Sequence, residues 1–321
     1  MTIDKKYIDQ IINVTSKAAI ASSYLVGKKD KIAADQAAVD AMRSELNKID
    51  MTGEIVIGEG SLDKAPMLYT GEKLGKKIGP EFDIAVDPLE GTNFAANNLP
   101  GALSVIAIAE KGNLFKAPET YMHKIATANV EKGLVDLDFS IKKNIENLAD
   151  FKNTTPSNLT ACIMDRPRHK KIIDELSALK VKIKLITDGD VAGALLVTKP
   201  IYNVDIFIGI GGGPEGVLAA SALDAYGCHF QGKFIFENEK DISQAKKMGV
   251  TDLDKKYEIN EIVKGDSIFC ASAITDTLNM RGVLAEDNNY YTVETLITYK
   301  TAKEIHESIE KIRMKFDRPK N

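Results

Sequence analysis

Asp87 and Glu90 stand in the stretch "DIAVDPLEGTNF", residues 83–94, where an apolar run ends in two acids spaced by Pro88 and Leu89 and followed by Gly91 and Thr92. Held close by a proline and a glycine, two carboxylates raise each other's cost of ionisation unless a cation lies between them. Carboxylate oxygens are hard donors, and Mg²⁺ or Mn²⁺ accepts them together with water and phosphate rather than demanding a complete protein cage. Thr92, one residue past Gly91, offers a hydroxyl where a phosphate or an attacking water would need one. Three more acids attract notice, Asp35, Glu59 and Glu215, although each taken singly has a plainer reading. Asp35 and Glu215 could complement helix dipoles, and Glu59 could be a solvated turn residue.

The elements that must position these residues follow from periodicity. Residues 7–27 place Ile8, Ile11, Ile12, Ala18, Ala19 and Leu25 at three- and four-residue steps before Gly27, which predicts an amphipathic helix with a glycine stop. A second helix is predicted over 33–50, with Val39, Met42, Leu46 and Ile49 on one face and Asp35 in its first turn. "GEIVIGEG" reads as a short strand over Ile55 to Ile57, and "GALSVIAIAEKGNLFKAP" as a strand closed by a Lys-Gly turn. From about residue 155 strand and helix signals alternate, which argues for parallel strands with crossover helices. "CIMDRPR", "LITDGD" and "GIGGGPEG" then fall at strand C-terminal ends, where open sheets of this kind bind ligands. Two domains are expected: 1–155, α+β, holding metal and phosphate, and 156–289, α/β, holding the sugar phosphate. The tail from about 290, "YYTVETLITYK", has strand character and is placed with the first domain.

Composition excludes several classes. The formal charge of −4 disfavours a general nucleic-acid or anionic-membrane surface. No apolar run approaches the roughly 18 residues of a membrane helix, and the opening "MTIDKKYIDQ" lacks the layout of a secretory signal, so a cytoplasmic protein is expected. Cys162, Cys228 and Cys270 sit far apart in apolar sequence and are expected to be buried, reduced thiols. With His123, His169, His229 and His306 also scattered, no zinc spacing exists.

"DPLEGTNF" resembles the Asp-Pro-(Ile/Leu)-(Asp/Glu)-Gly-Thr signature of the lithium-sensitive, metal-dependent phosphatases, the group of inositol monophosphatases and fructose-1,6-bisphosphatases. With "DKIAADQAAVDAMR", "IVIGEGSLDKAPMLYTGEKLG", "PRH", "DGDVA" and "GIGGGPEGV" in the same order, the chain is similar to class II fructose-1,6-bisphosphatase from about residue 7 to about residue 300. The resemblance implies a two-domain layered α-β-α-β-α sandwich of the sugar phosphatase, inositol monophosphatase-like type. It implies metal-dependent hydrolysis of fructose-1,6-bisphosphate to fructose-6-phosphate in gluconeogenesis and lithium sensitivity. A homodimer or homotetramer and, as in cyanobacterial members, activity on sedoheptulose-1,7-bisphosphate are also implied.

Carried over by that resemblance, the Mg²⁺ or Mn²⁺ ligands fall on Asp35, Glu59, Asp87, Glu90 and Glu215. Substrate contacts fall on Glu90, Gly91, Thr92, Tyr121, Arg166, Pro167, Arg168, Asp188, Gly189, Asp190 and Gly212. Lys31, Asp63 and Thr92 match positions linked to catalysis, with Asp63 pairing Thr92 so that the threonine orients water. Arg166, Arg168 and Tyr121 suit the distal phosphate. One departure stands out: many members carry a glycine where this chain reads Lys28-Lys29-Asp30-Lys31.

Three alternatives remain open on sequence. Gly211-x-Gly213-x-x-Gly216 between a strand and a helix, with Glu237 about twenty residues on, imitates a dinucleotide-binding oxidoreductase. Pro214 removes a backbone donor there and Glu215 puts negative charge where a pyrophosphate would lie. An inositol-type monophosphatase would share the Asp-Pro signature but has less use for "RPRHKK" and "DGD". A non-catalytic sugar-phosphate sensor is the third.

Overall fold

The computed structural model describes residues 2–58 and 67–317, and the chain falls into two compact units, 1–115 with 263–321, and 116–262. Within the first segment run α1 (Lys6–Ser23), α2 (Lys31–Leu46), β1 (Thr52–Ile57), β2 (Lys73–Leu74), β3 (Glu81–Glu90), α3 (Thr92–Ala96) and β4 (Leu103–Glu110). The second unit holds β5 (Tyr121–Thr127), α4 (Ile141–Phe151), β6 (Thr160–Met164), α5 (Lys170–Ala178), β7 (Lys182–Ile186), α6 (Asp190–Leu195) and β8 (Ile206–Gly212). It continues through α7 (Gly213–Asp224), β9 (His229–Ile235), α8 (Glu239–Lys247), β10 (Lys256–Glu258) and α9 (Ile259–Ile262). The chain then returns to the first unit with β11 (Ser267–Ala273), β12 (Leu284–Ala285), β13 (Tyr290–Lys300) and β14 (Ile305–Lys315).

The first unit is a mixed sheet ordered β14-β13-β11-β4-β3-β1-β2, with β12 also pairing β13. Among the described residues only β1 and β3 run parallel; the other pairs are antiparallel. Helices α1 and α2 pack on each other, α1 against β4, β11 and β13 and α2 against β3. The apolar stripe read from the sequence makes that contact: Ile11, Ile12, Ala18 and Ala19 of α1 and Val39, Met42 and Leu46 of α2 are buried against Ile84, Ile106, Ile268 and Ile297. Strands β4 and β11 are buried along almost their whole length, and both read as near-continuous apolar runs, as strands covered on two faces do.

The second unit is a sheet ordered β10-β9-β5-β8-β6-β7. The expected parallel strands are present, β6 beside β7 and β8, but β8 continues antiparallel to β5, and β5 to β9, so the sheet is mixed. Ile145, Leu148 and Leu176 of α4 and α5 pack on Ile125, Ala161, Ile206 and Ile208. Helices α6 and α7 pack together and against β8. Both units are thus α/β layers of helix on sheet.

Two expectations, the boundary and the start of α2, differ in detail. The polar stretch at 150–160 lies inside the second unit, which begins near 116 because β5 pairs with strands far along the chain, β8 and β9. The tail from 290 does join the first unit's sheet, through β13 and β14. Helix α2 starts at Lys31, earlier than periodicity indicated, because the Asp30 side chain caps it by accepting from Ala33 N–H at 2.9 Å. Asp35 therefore sits in the second turn.

The three cysteines are free and buried, as expected. Burial pushes each thiol up to about 12, with the Thr15 hydroxyl 3.0 Å from Cys270 Sγ opposing the rise there. Among the described residues no helix is long and apolar enough to cross a membrane.

Candidate active site

In the first unit, the acidic pair sits within β3 rather than in a loop beyond it. Asp87 faces Val105 and Glu90 faces Leu103, so the pairing of β3 with β4 shifts between them: a bulge. Pro88 is tolerated there because a bulge relieves it of a ladder hydrogen bond. Leu89 N–H donates to Asp87 Oδ1 at 3.1 Å, which closes the bulge and leaves Asp87 half-buried and Glu90 4 % exposed. Gly91 follows with φ +79°, and a Cβ there would stand 2.8 Å from Phe94 Cδ2, so both conformation and space require glycine. Thr92 then opens α3.

The end of α3 holds the approach to α2: Gly27 N–H donates to Ala95 O and Lys29 N–H to Ala96 O, each at 2.9 Å. Lys29 has φ +60°, so the lysine occupies the left-handed conformation in the loop before α2. Lys31, at the start of α2, is exposed, and Asp35 one turn later is half-buried. Glu59 and Asp63 lie outside the described residues. Among the described residues no group of three or more His, Cys, Asp or Glu side chains is close enough to hold a metal.

The second unit gathers its candidates at strand ends. Tyr121 opens β5 directly opposite Gly212, the last residue of β8. Gly213 N–H donates to Thr120 O at 2.8 Å, fixing where α7 begins. Pro214 occupies the first turn, where a missing N–H costs nothing. Glu215 folds back over Gly212, whose Cβ would stand 2.7 Å from the carboxylate carbon. Tyr121, Gly212 and Glu215 line a cleft of about 370 Å³ with Glu119, Pro214, Glu237, Asn238 and Asp241.

Arg168 flanks this cleft. Its guanidinium lies 4.9 Å from the centre of the Tyr121 ring, and its Nε donates to Ile210 O at 2.8 Å. The turn Pro167–His169 that carries it is pinned by His169, which by sequence alone is one of four scattered histidines. Ile210 N–H donates to His169 Nε2 at 2.7 Å, so Nδ1 carries the proton and donates to Met164 O at 2.7 Å. Burial pushes the pKa of this imidazole down, in keeping with a neutral ring. Arg166 stands 3.9 Å from Asp188 Oδ1.

"DGD" is more than a turn: Gly189, with φ +83°, leads into α6, and Asp190 is its buried first residue. Asp190 Oδ2 accepts from Lys124, a fully buried lysine of β5 that the sequence reading did not single out. The signal was available: a lysine interrupts the inward-facing positions Met122 and Ala126 of an apolar strand. Burial raises the pKa of Glu215, the charges of Asp190 and Asp188 add to the rise, and the Lys124 ammonium opposes it. A carboxylate so placed is short of positive charge, which fits a hard cation.

The dinucleotide alternative fails here. The Glu215 carboxylate fills the space over Gly212 that a pyrophosphate would require, and Glu237 and Asp241 line the same cleft, adding negative charge.

Residues 5–312 match the family described as bacterial fructose-1,6-bisphosphatase, glpX-encoded. The chain is 43 % identical over 298 residues to a D-fructose 1,6-bisphosphatase class 2/sedoheptulose 1,7-bisphosphatase of Prochlorococcus marinus (strain MIT 9303), spanning 88 % of this chain and 89 % of that protein. It is 42 % identical over 298 residues to the protein of the same description in strain AS9601, spanning 88 % and 90 %. It is also similar to the inositol monophosphatase structure from Anabaena (Nostoc) sp. PCC 7120 at 14 % identity and a TM-score of 0.32, over 60 % of this chain and 71 % of that one. The molecule is a phosphatase of the hydrolase class, working in carbohydrate metabolism. More narrowly, the chain belongs to the bacterial, glpX-encoded fructose-1,6-bisphosphatase family.

Proposed function

We propose that the protein removes the C1 phosphate of fructose-1,6-bisphosphate in gluconeogenesis, using Mg²⁺ or Mn²⁺, and that it also accepts sedoheptulose-1,7-bisphosphate. The observation that carries the reading lies at the strand ends of the second unit. There Glu215, a carboxylate short of positive charge, shares a cleft with Tyr121, and Tyr121 forms the platform for the clamped Arg168. An acid that wants a cation and an arginine oriented for an anion are the two needs of a metal-dependent sugar bisphosphatase.

Asp35, Glu59, Asp87, Glu90 and Glu215 are the proposed ligand set, all hard oxygen donors suited to such an ion. When bound, the divalent cation supplies Lewis acidity toward the phosphoryl oxygens. The remaining roles belong to the chain. Thr92, with Asp63, orients the attacking water, and Lys31 serves the same end of the site. Glu90, Gly91 and Thr92 position the C1 phosphate, while Arg166, Arg168 and Tyr121 bind the distal phosphate. Asp188, Gly189, Asp190 and Gly212 accept from or pack against the sugar. No protein nucleophile is needed; rate depends on positioning and electrostatics. A cytoplasmic homodimer or homotetramer, inhibited by lithium, completes the proposal.

The test is phosphate release from each bisphosphate with Mg²⁺, with Mn²⁺ and after chelation. Release from fructose-1,6-bisphosphate that chelator abolishes and either ion restores supports the reading. Binding without turnover would favour the sensor, and preference for inositol monophosphate over both bisphosphates would favour the monophosphatase.

A further inference from the structure

Lys124 is 0 % exposed, and its side chain passes between the second unit's sheet and the starts of α6 and α7. Its ammonium donates to Asp190 Oδ2 and, at 2.9 Å, to Gly212 O. The stem packs against glycines: a Cβ added at Gly216 of α7 would stand 3.4 Å from Lys124 Cδ, and one added at Gly211 would stand 3.0 Å from Nζ. A lone lysine is seldom buried this deeply unless paired. Here the pairing joins the two elements that present substrate-facing groups, the first residue of α6 and the last residue of β8. Asp190 Oδ1, the oxygen Lys124 does not use, is itself buried and accepts no hydrogen bond from the described residues. A buried acceptor left over in this way awaits a donor.

We propose that Lys124 is a positioning residue: it locks Asp190 and the Gly212 carbonyl together, so that Asp190 Oδ1 is presented as an acceptor to a hydroxyl of the sugar phosphate. The role rests on the reading that this unit binds a sugar phosphate. It assigns Lys124 to substrate recognition rather than to the reacting phosphate, so binding and KM carry the effect and kcat does not. Lys124 and Asp190 act as one unit, because an acceptor whose orientation depends on the ammonium loses its use when the ammonium is gone.

The experiment compares wild type with Lys124→Met, Asp190→Asn and the double variant, using fructose-6-phosphate binding by calorimetry, then kcat and KM for fructose-1,6-bisphosphate. Each single variant is expected to weaken binding and raise KM by about tenfold or more, with kcat within about threefold. The double variant is expected to be no weaker than the worse single, since coupled partners are not additive. Lys124→Met leaves Asp190 buried without its counter-charge and could fail to fold. Removing both charges avoids that penalty, so the comparison of Asp190→Asn with the double decides the matter in that event. Wild-type affinity in a folded Lys124→Met, multiplied penalties in the double, or a loss confined to kcat would each overturn the assignment. Absence of both binding and phosphate release in wild type would instead overturn the sugar-phosphate reading on which it rests.

Discussion

The two units present chemistry by different means. In the first, the candidates Asp87, Glu90 and Gly91 sit on an interruption of an antiparallel pairing, a bulge closed by one backbone-to-carboxylate bond and ended by a left-handed glycine. In the second, Arg168, Asp190 and Glu215 stand at or just beyond the C-terminal ends of β6, β7 and β8. The first contributes mostly acids on an irregular backbone; the second contributes arginines, a buried lysine and the acids Asp188, Asp190 and Glu215. Under the proposed function the contrast becomes a division of labour: charge that would serve the reacting phosphate in one, recognition of the rest of the molecule in the other. Glu215 is the exception, a proposed metal ligand in the second unit.

The largest effects should come from the acids. Asp87→Asn and Glu215→Gln are each expected to lower kcat by about 100-fold or more while the fold persists. Because burial and the Asp190 and Asp188 charges disfavour ionised Glu215, Glu215→Gln should keep or raise Tm. Near-normal turnover in both variants would erase the distinction between the units. Arg168→Ala comes next, with KM for fructose-1,6-bisphosphate up about 10- to 100-fold and kcat within a few-fold. A fall in kcat at constant KM would move Arg168 to the side of the acids. The smallest effect concerns the loop before α2. Lys29 holds φ +60°, so Lys29→Gly should stabilise by about 0.5–1 kcal/mol and raise the urea midpoint without altering kcat. An unchanged or lower midpoint would show that the lysine side chain offsets its strained backbone.

Local pattern made much of this legible. The helical stripe of residues 7–27, the strand at 55–57 and the alternation from 155 correspond to α1, β1 and the run from β6 to α7. Long-range pairing was not legible. Nothing near residue 116 announces that β5 will pair with β8 and β9, so the compositional change at 150–160 looked like a boundary and is instead interior to a unit. In the site, acids beside proline and glycine signalled themselves because such pairs are costly. Asp35 falls a turn later than periodicity alone indicates because Asp30, five residues upstream, caps the helix and starts it at Lys31. Lys124 and His169 were missed for a related reason: a buried polar side chain reads as ordinary until its partners are known, and those partners lie 66 and 41 residues away.

The three inaccessible sulfurs give each unit its own alarm. Cys270 lies in β11 of the first unit, while Cys162 and Cys228 lie in the second, and with thiols held near 12 none should react with an aromatic disulfide reagent near neutral pH until its surroundings open. Mass mapping of modified peptides along a urea gradient would then show which half loosens first; immediate labelling in dilute buffer would contradict the burial. The same sulfurs set an alkaline limit. Their protonated form favours the folded chain below the ordinary thiol range of about 8.5, and that advantage drains away as pH climbs toward 12.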